Sequence, residues 1–81
     1  MAAGFGTSFP LALAAEGEKV KIVLVRGGGL LRERLLGMGL GLEDEIVILR
    51  KQDGGAVLIG REHDRLMLGG GMAHKINVIR C

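Results

Sequence analysis

Five separate segments of the chain have the pattern of strands: some alternate between apolar and polar residues, as strands with one buried face do, and the others are short apolar runs bounded by turn residues. The first segment covers residues 19–25, where four of the seven residues are Val or Ile, side chains that fit a pleated sheet. The other segments cover residues 44–50, 56–60, 65–68 and 75–79. Short strands at this spacing predict a mainly β fold, a small β-barrel of about five strands, which leaves few open sheet edges.

Residues 30–38 have a different period and predict one short helix inserted between the first two strands. Leu31, Leu35 and Met38 recur at i, i+4 and i+7, which places them on one face of a helix, and we expect that face in the core. Gly39 follows the last periodic residue, where a left-handed C-terminal cap favours glycine. A helix this short depends on packing against the barrel for its stability.

The apolar content is high for so small a chain. Of the 81 residues, 48% are apolar, and the mean hydropathy is +0.36. A single domain of this size cannot bury all of that surface, so we expect exposed apolar patches, which more often bind a partner than form an active site. The same surplus leaves a homo-oligomer open.

Charge and aromatic content argue against nucleic-acid binding. The net charge is only +2, there is no Trp or Tyr, and both phenylalanines, Phe5 and Phe9, lie near the N-terminus. Nucleic-acid binders concentrate positive charge on one face and offer rings for base stacking. We therefore expect no nucleic-acid partner.

Residues 1–9 are predicted to form a flexible N-terminal arm, and residues 10–81 a single domain. The start does not have the pattern of a secretory signal, because no Lys or Arg precedes Lys19 and Pro10 interrupts the apolar run. No apolar run approaches the roughly 18 residues of a membrane span, which predicts no direct membrane insertion. The single cysteine, Cys81, cannot form an internal disulfide, which fits a reducing compartment. We therefore expect a cytoplasmic protein.

No group of residues has the pattern of a catalytic site. Glycines 27–29 precede the helix, but Arg32 stands where a dinucleotide-binding loop needs a glycine, and no Gly-Lys-Ser/Thr ending follows. The only serine, Ser8, lies in the predicted arm. The carboxylates at 43–45 flank a strand start and are explained by a solvated turn. The sequence therefore predicts a protein that is not an enzyme.

His63, His74 and Cys81 are the candidate metal ligands. Structural zinc sites carry paired ligands at close, fixed spacing, and none of these three residues has such a partner in the sequence. Two interpretations stay open, solvated side chains or a weakly bound divalent metal ion. We expect no resident cofactor.

The helix also predicts a docking surface. One helical stripe cannot bury all the apolar residues of this segment, so those outside the stripe of Leu31, Leu35 and Met38 are expected to face outwards. Arginines lie between them. The predicted partner-binding residues are Leu30, Arg32, Arg34, Leu36 and Leu40.

Several motifs follow one another in a fixed order from about residue 10 to residue 80. They are Pro10-Leu11 followed by Gly17-Glu18, Arg26-Gly27-Gly28-Gly29, Leu-Arg-Glu-Arg-Leu at 31–35, Met38-Gly39-Leu40, Glu45-Ile46-Val47-Ile48, Leu66-Met67-Leu68-Gly69, and Met72-Ala73-His74-Lys75-Ile76-Asn77-Val78. This order resembles the ferrous iron transport protein A (FeoA) family. Members of that family often carry Pro-Gly between the helix cap and the second strand, where this chain has Leu42-Glu43. The departure leaves the local turn type open.

The resemblance implies an SH3-like β-barrel with a cytoplasmic accessory role beside FeoB, the membrane ferrous-iron transporter. It implies protein–protein contacts with a FeoB-like partner, and it leaves assembly, gating and modulation of nucleotide hydrolysis open. A second hypothesis is a metal-responsive regulatory module, since similar SH3-like domains occur at the end of iron-dependent repressors, although this chain has no helix-turn-helix region. A third, an RNA-associated barrel, is disfavoured by the low net charge.

Overall fold

Short antiparallel strands form one sheet in the computed structural model, which describes residues 7–81. In these residues the sheet contains β1 (Phe9–Pro10), β2 (Lys19–Val25), β3 (Glu45–Lys51), β4 (Val57–Arg61), β5 (Asp64–Leu68) and β6 (Ile76–Arg80). Helix α1 covers Gly28–Gly37 and the short helix α2 covers Gly70–Ala73, while Leu11–Leu13 and Asp53–Gly55 form single 3-10 turns. The five predicted strands and the predicted helix are confirmed.

The strand order is β1-β6-β2-β3-β4-β5, and the two outermost strands are not paired with each other in the described residues. Register shifts interrupt the ladders between β2 and β6 and between β3 and β4; bulges of this kind bend a sheet and increase its twist. The sheet is therefore barrel-like in the SH3 manner without being closed by hydrogen bonds.

The core is built from alternate positions along the long strands, as the pattern predicts. These residues are 0–1% exposed and come from four strands: Val20, Ile22, Ile46, Ile48, Val57, Ile59, Ile76 and Val78. Because successive side chains point to opposite faces, their neighbours face solvent or the partly covered rim. Each β-branched residue adds about 1.5–3 kcal/mol when fully buried.

Phe9, predicted to lie in the arm, belongs to the sheet. It pairs with Val78 in β6 and packs against the core, and the Arg80 guanidinium lies 4.6 Å above its ring. The Ala15 amide and Arg80 both donate hydrogen bonds to Glu18, and they hold the pKa of that carboxyl below its usual value. The domain thus begins before Pro10; of the predicted arm, residues 7–9 are described and residues 1–6 lie outside the described residues.

The end of α1 closes with a Schellman motif. The Leu40 amide donates to the Leu35 carbonyl and the Gly39 amide to the Leu36 carbonyl, each at 2.9 Å, and Gly39 has a φ of +85°. The predicted left-handed glycine cap is therefore confirmed. In this motif the residue after the glycine folds back to contact the residue that accepts its hydrogen bond. Leu40 is accordingly directed inwards, onto Leu35.

The loop after the cap forms the type of turn that a Pro-Gly pair favours, although this chain has Leu42-Glu43 there. The Asp44 amide donates to the Gly41 carbonyl at 3.3 Å, and Glu43, the third residue of this turn, has a φ of +73°. Positive φ at the third position is the type II arrangement, which favours proline at the second position and glycine at the third. Leu42-Glu43 therefore occupies this turn with a strained, non-glycine residue.

Replacing Glu43 with glycine is expected to raise the free energy of unfolding by about 0.5–1 kcal/mol, since glycine adopts positive φ without a steric cost. Urea denaturation followed by circular dichroism measures the change. Glu43→Ala is the matched control, because it removes the same charge while keeping a Cβ. An equal gain from the alanine variant would contradict backbone strain and assign the effect to the carboxylate.

Candidate docking surface

Helix α1 presents two large leucines to solvent, Leu30 at 76% exposure and Leu36 at 66%. They are exposed because the opposite stripe faces the sheet: Leu35 is buried, and Leu31 and Met38 pack against the core. The predicted exposure of Leu30 and Leu36 is therefore confirmed. The two leucines lie on the borders of different grooves, so that α1 forms a ridge between them.

Leu40, predicted to be exposed, is 1% exposed, and that prediction is wrong. The Schellman motif turns its side chain under the helix end, where it joins Leu35 in the core. Helical periodicity cannot show this, because Leu40 lies beyond the end of the helix. Leu40 supports the surface from below and does not form part of its outer face.

The first groove, which we call the Leu36 groove, has a volume of about 50 Å³. Its lining is almost entirely apolar: Ile22, Val25, Arg32, Leu35, Leu36, Leu40, Gly41 and Leu42. A Cβ at Gly41 would lie 3.6 Å from the Leu36 side chain, so Leu36 leans over the following loop. Leu42, at 48% exposure, adds a second apolar border, and Arg32 supplies the one charged group in the lining.

The second groove, which we call the Leu30 groove, lies between α1 and α2 and has an open volume of about 510 Å³. Its lining consists of Gly27, Leu30, Leu31, Arg34, Gly69, Gly71, Met72 and Lys75. Arg26, the residue after β2, makes two hydrogen bonds to the wall on the α2 side. The Arg26 amide donates to the Lys75 carbonyl at 2.6 Å, and the Arg26 guanidinium donates to the His74 carbonyl at 2.5 Å.

Arg61 fixes the loop that borders the Leu36 groove. Its guanidinium lies 3.7 Å from the Asp44 carboxylate and 3.6 Å from Asp64, and Asp44 also accepts the Gly41 amide at 2.8 Å. A Cβ at Gly39 would come within 2.9 Å of the same guanidinium. Exposed ion pairs contribute little individually, but these contacts tie the loop after α1 to the hairpin of β4 and β5.

The five docking residues predicted from the sequence thus lie in three different places in the structure. Arg32 and Leu36 line the Leu36 groove, Leu30 and Arg34 line the Leu30 groove, and Leu40 is buried. Other lining residues were missed, notably Leu42, Met72 and Lys75, which helical periodicity does not cover. The signal for Leu42 is a large apolar side chain in a turn, where polar residues or glycine are usual.

The candidate metal ligands belong to separate elements. His63 lies in the turn between β4 and β5, His74 follows α2, and Cys81 follows β6; all are exposed. Within residues 7–81, no group of three His, Cys, Asp or Glu side chains is placed to hold a metal ion. In the same residues, no helix has the length and apolar character needed to cross a membrane.

The antiparallel sheet, its register shifts and the helix between β2 and β3 define the class of protein as a small SH3-like β-barrel domain. The family follows from the sequence comparison. The FeoA domain model matches residues 9–80, and this chain belongs to the FeoA family.

Relatives with known names or structures agree with this assignment. A protein of Methanocaldococcus jannaschii named "Putative Fe(2+) transport protein A" is 34% identical over 70 residues, which span 86% of this chain and 84% of the relative. The crystal structure of an iron uptake regulatory protein (FeoA) superposes with a TM-score of 0.82 at 27% identity, covering 93% of this chain and 99% of that one. The family is thus associated with Fe(2+) transport.

A manganese-dependent transcriptional repressor in complex with manganese also superposes, with a TM-score of 0.84 and 14% identity. The match covers 91% of this chain but only 37% of the repressor. At this identity the likeness shows a common SH3-like fold and nothing about regulation or metal binding by this chain.

Proposed function

We propose that this protein is a cytoplasmic accessory protein of ferrous iron uptake, which docks on the cytoplasmic part of a FeoB-like membrane transporter. Membership of the FeoA family supports the link to iron transport. The observation that carries docking is the apolar ridge of α1, with Leu36 66% exposed beside the Leu36 groove. Contiguous exposed apolar surface of this kind marks interaction sites more often than isolated exposed apolar residues do.

The size of the Leu36 groove favours a protein partner over a small molecule. Pockets for cofactors and drug-sized ligands measure roughly 300–1,000 Å³, whereas this groove holds about 50 Å³. That volume suits a single apolar side chain inserted from a partner's surface. Arg32 in the lining would pair with a carboxylate or a backbone carbonyl at the rim of the contact.

The proposed mechanism is binding alone. No nucleophile with a base and an acid beside it lines either groove, and the proposal gives the protein no catalytic step. An accessory protein changes gating or nucleotide hydrolysis only through different affinities for two states of the transporter. His63, His74 and Cys81 receive no metal role in this proposal, because they lie on separate elements.

Leu36→Asp is expected to weaken binding to the transporter by about tenfold or more, since it places a charge at the centre of an apolar contact. Pull-down or biolayer interferometry on the transporter in nanodiscs measures the affinity. Leu13→Asp is the matched control, because Leu13 is 64% exposed and lines neither groove. Equal affinities of wild type and Leu36→Asp, with both folded by circular dichroism, would rule out this surface.

A further inference from the structure

Two glycines of the Leu30 groove are not required by the fold. Neither Gly69 nor Gly71 has a positive φ, and a Cβ at either position would meet nothing within 4 Å. Gly71 lies inside α2, where glycine is less favourable than alanine. Glycine at such positions leaves bare backbone, which allows another chain or ligand to approach closely. The wall of the groove is therefore open to contact from outside the domain.

The rim of this groove carries unpaired positive charge. Arg34 and Lys75 are the charged residues of its lining, and no carboxylate lines it. The ion pairs within residues 7–81 join other residues. A Cβ at Gly27 would lie 2.9 Å from Cδ of Lys75, so the stem of this lysine crosses Gly27 and holds its ammonium group at the rim.

The apolar part of the groove lies between these charges. Leu30 is 76% exposed, and Met72 stands opposite it on α2, where an unbranched and flexible side chain adapts to different apolar partners. Bare backbone, apolar surface and two cations thus adjoin in one groove of about 510 Å³. This combination is complementary to a peptide segment that carries both apolar and acidic side chains.

We propose that the Leu30 groove binds an acidic segment of a partner protein, with the segment's backbone against Gly69 and Gly71. An apolar side chain of the segment contacts Leu30 and Met72, and its carboxylates pair with Arg34 and Lys75. We take the transporter as the source of this segment, which rests on the proposed function. The Leu36 groove holds a separate contact on the other side of α1.

A peptide titration tests the chemistry of the groove without the transporter. The probes are two capped octapeptides of equal length, one made of leucine and glutamate and one of leucine and lysine, added to the ¹⁵N-labelled full chain. We expect the glutamate peptide to shift the amide signals of Gly27, Gly69 and Gly71, and to bind at least about tenfold more tightly than the lysine peptide. Equal affinities, or shifts confined to other residues, would overturn the proposal. So would the same shifts on raising the protein concentration without peptide, which would indicate a second copy as the occupant.

Alanine substitutions separate binding from folding. Gly71→Ala is expected to raise Tm by about 2–5 °C and to weaken binding of the glutamate peptide by about fivefold or more, because the new methyl group occupies the wall. Gly29→Ala is the matched control, since Gly29 also lies in a helix, also has open space around it, and does not line the groove. Unchanged peptide affinity in Gly71→Ala would contradict close backbone approach.

A charge reversal in this protein, measured by its binding to the transporter, distinguishes failure of this proposal from failure of the proposed function. Lys75→Glu is expected to weaken binding to the transporter in nanodiscs by about tenfold, while Arg50→Glu, an exposed arginine outside the groove, leaves it unchanged. Binding that Lys75→Glu does not affect would overturn the groove as a transporter contact while the proposed function stands. Absence of any wild-type binding would reject the proposed function, and the peptide titration then decides the groove by itself.

Discussion

Replacing Gly70 with alanine is expected to lower the free energy of unfolding by about 3 kcal/mol or more, the largest effect we expect from a single methyl group in this chain. Gly70 is the first residue of α2, and a Cβ there would overlap the carbonyl oxygen of Gly54. That oxygen is a backbone atom in a turn where Gly54 and Gly55 both have positive φ. It cannot rotate away as a flexible side chain would, so α2 itself has to move.

The neighbouring glycines provide matched controls for this prediction. Gly69→Ala and Gly71→Ala introduce the same methyl group one residue away on either side, where a Cβ meets nothing within 4 Å. Gly71→Ala is expected to unfold at the wild-type urea concentration or above it, and Gly69→Ala, at the N-cap of α2, within about 1 kcal/mol of wild type, whereas Gly70→Ala unfolds well below it. A Gly70→Ala variant within about 0.5 kcal/mol of wild type would show that α2 does not depend on close contact with the turn.

The three glycines at 69–71 also show where sequence analysis stops. Three consecutive glycines between the predicted strands 65–68 and 75–79 indicate a break in the sheet, but the sequence assigns the three residues no separate roles. Gly70 is required because of Gly54, a residue distant in the chain, and no local period or propensity contains that information. The role proposed for Gly69 and Gly71 depends on the absence of neighbours, which only the folded chain reveals.

The strands, in contrast, could be predicted, because their signal is local. Alternation places Ile46 and Ile48 on one face of β3, and both are buried. Strand β1 was missed, since Phe9–Pro10 is too short to alternate and exists only through its pairing with β6. The same applies to the boundary between the predicted arm and the domain. Phe9, predicted to be the last residue of the arm, belongs to the domain because it pairs with β6.

The candidate surface was predicted in part for the same reason. Leu30 and Leu36 follow from the period of α1, since a helix with Leu35 inside must turn these two residues outwards. Met72 and Lys75 reach the surface through the placement of α2 against α1, and that placement is tertiary. The helix could be predicted as a ridge, but the grooves on its two sides could not.

Leu40 gives the second large effect. Leu40→Ala is expected to lower the free energy of unfolding by about 2–4 kcal/mol, because the side chain is 1% exposed and its removal leaves a cavity beneath the end of α1. Leu36→Ala removes the same number of atoms from a side chain that is 66% exposed, and it is expected to change stability by no more than about 0.5 kcal/mol. Urea denaturation of the two variants measures both values.

Leu36→Ala and Leu40→Ala are also expected to differ in how they weaken binding to the transporter. Leu36→Ala removes part of the proposed docking surface and should weaken the proposed binding to the transporter while the domain stays folded. Leu40→Ala should weaken it in two ways, through the fraction of unfolded molecules and through the loss of a side chain that lines the Leu36 groove, so that an osmolyte that restores the fold restores binding only in part. Equal losses of stability in Leu36→Ala and Leu40→Ala would contradict the burial of the Leu40 side chain. Full recovery of binding in folded Leu40→Ala would show that the Leu36 groove does not depend on the Leu40 side chain, although Leu40 and Leu35 both line it.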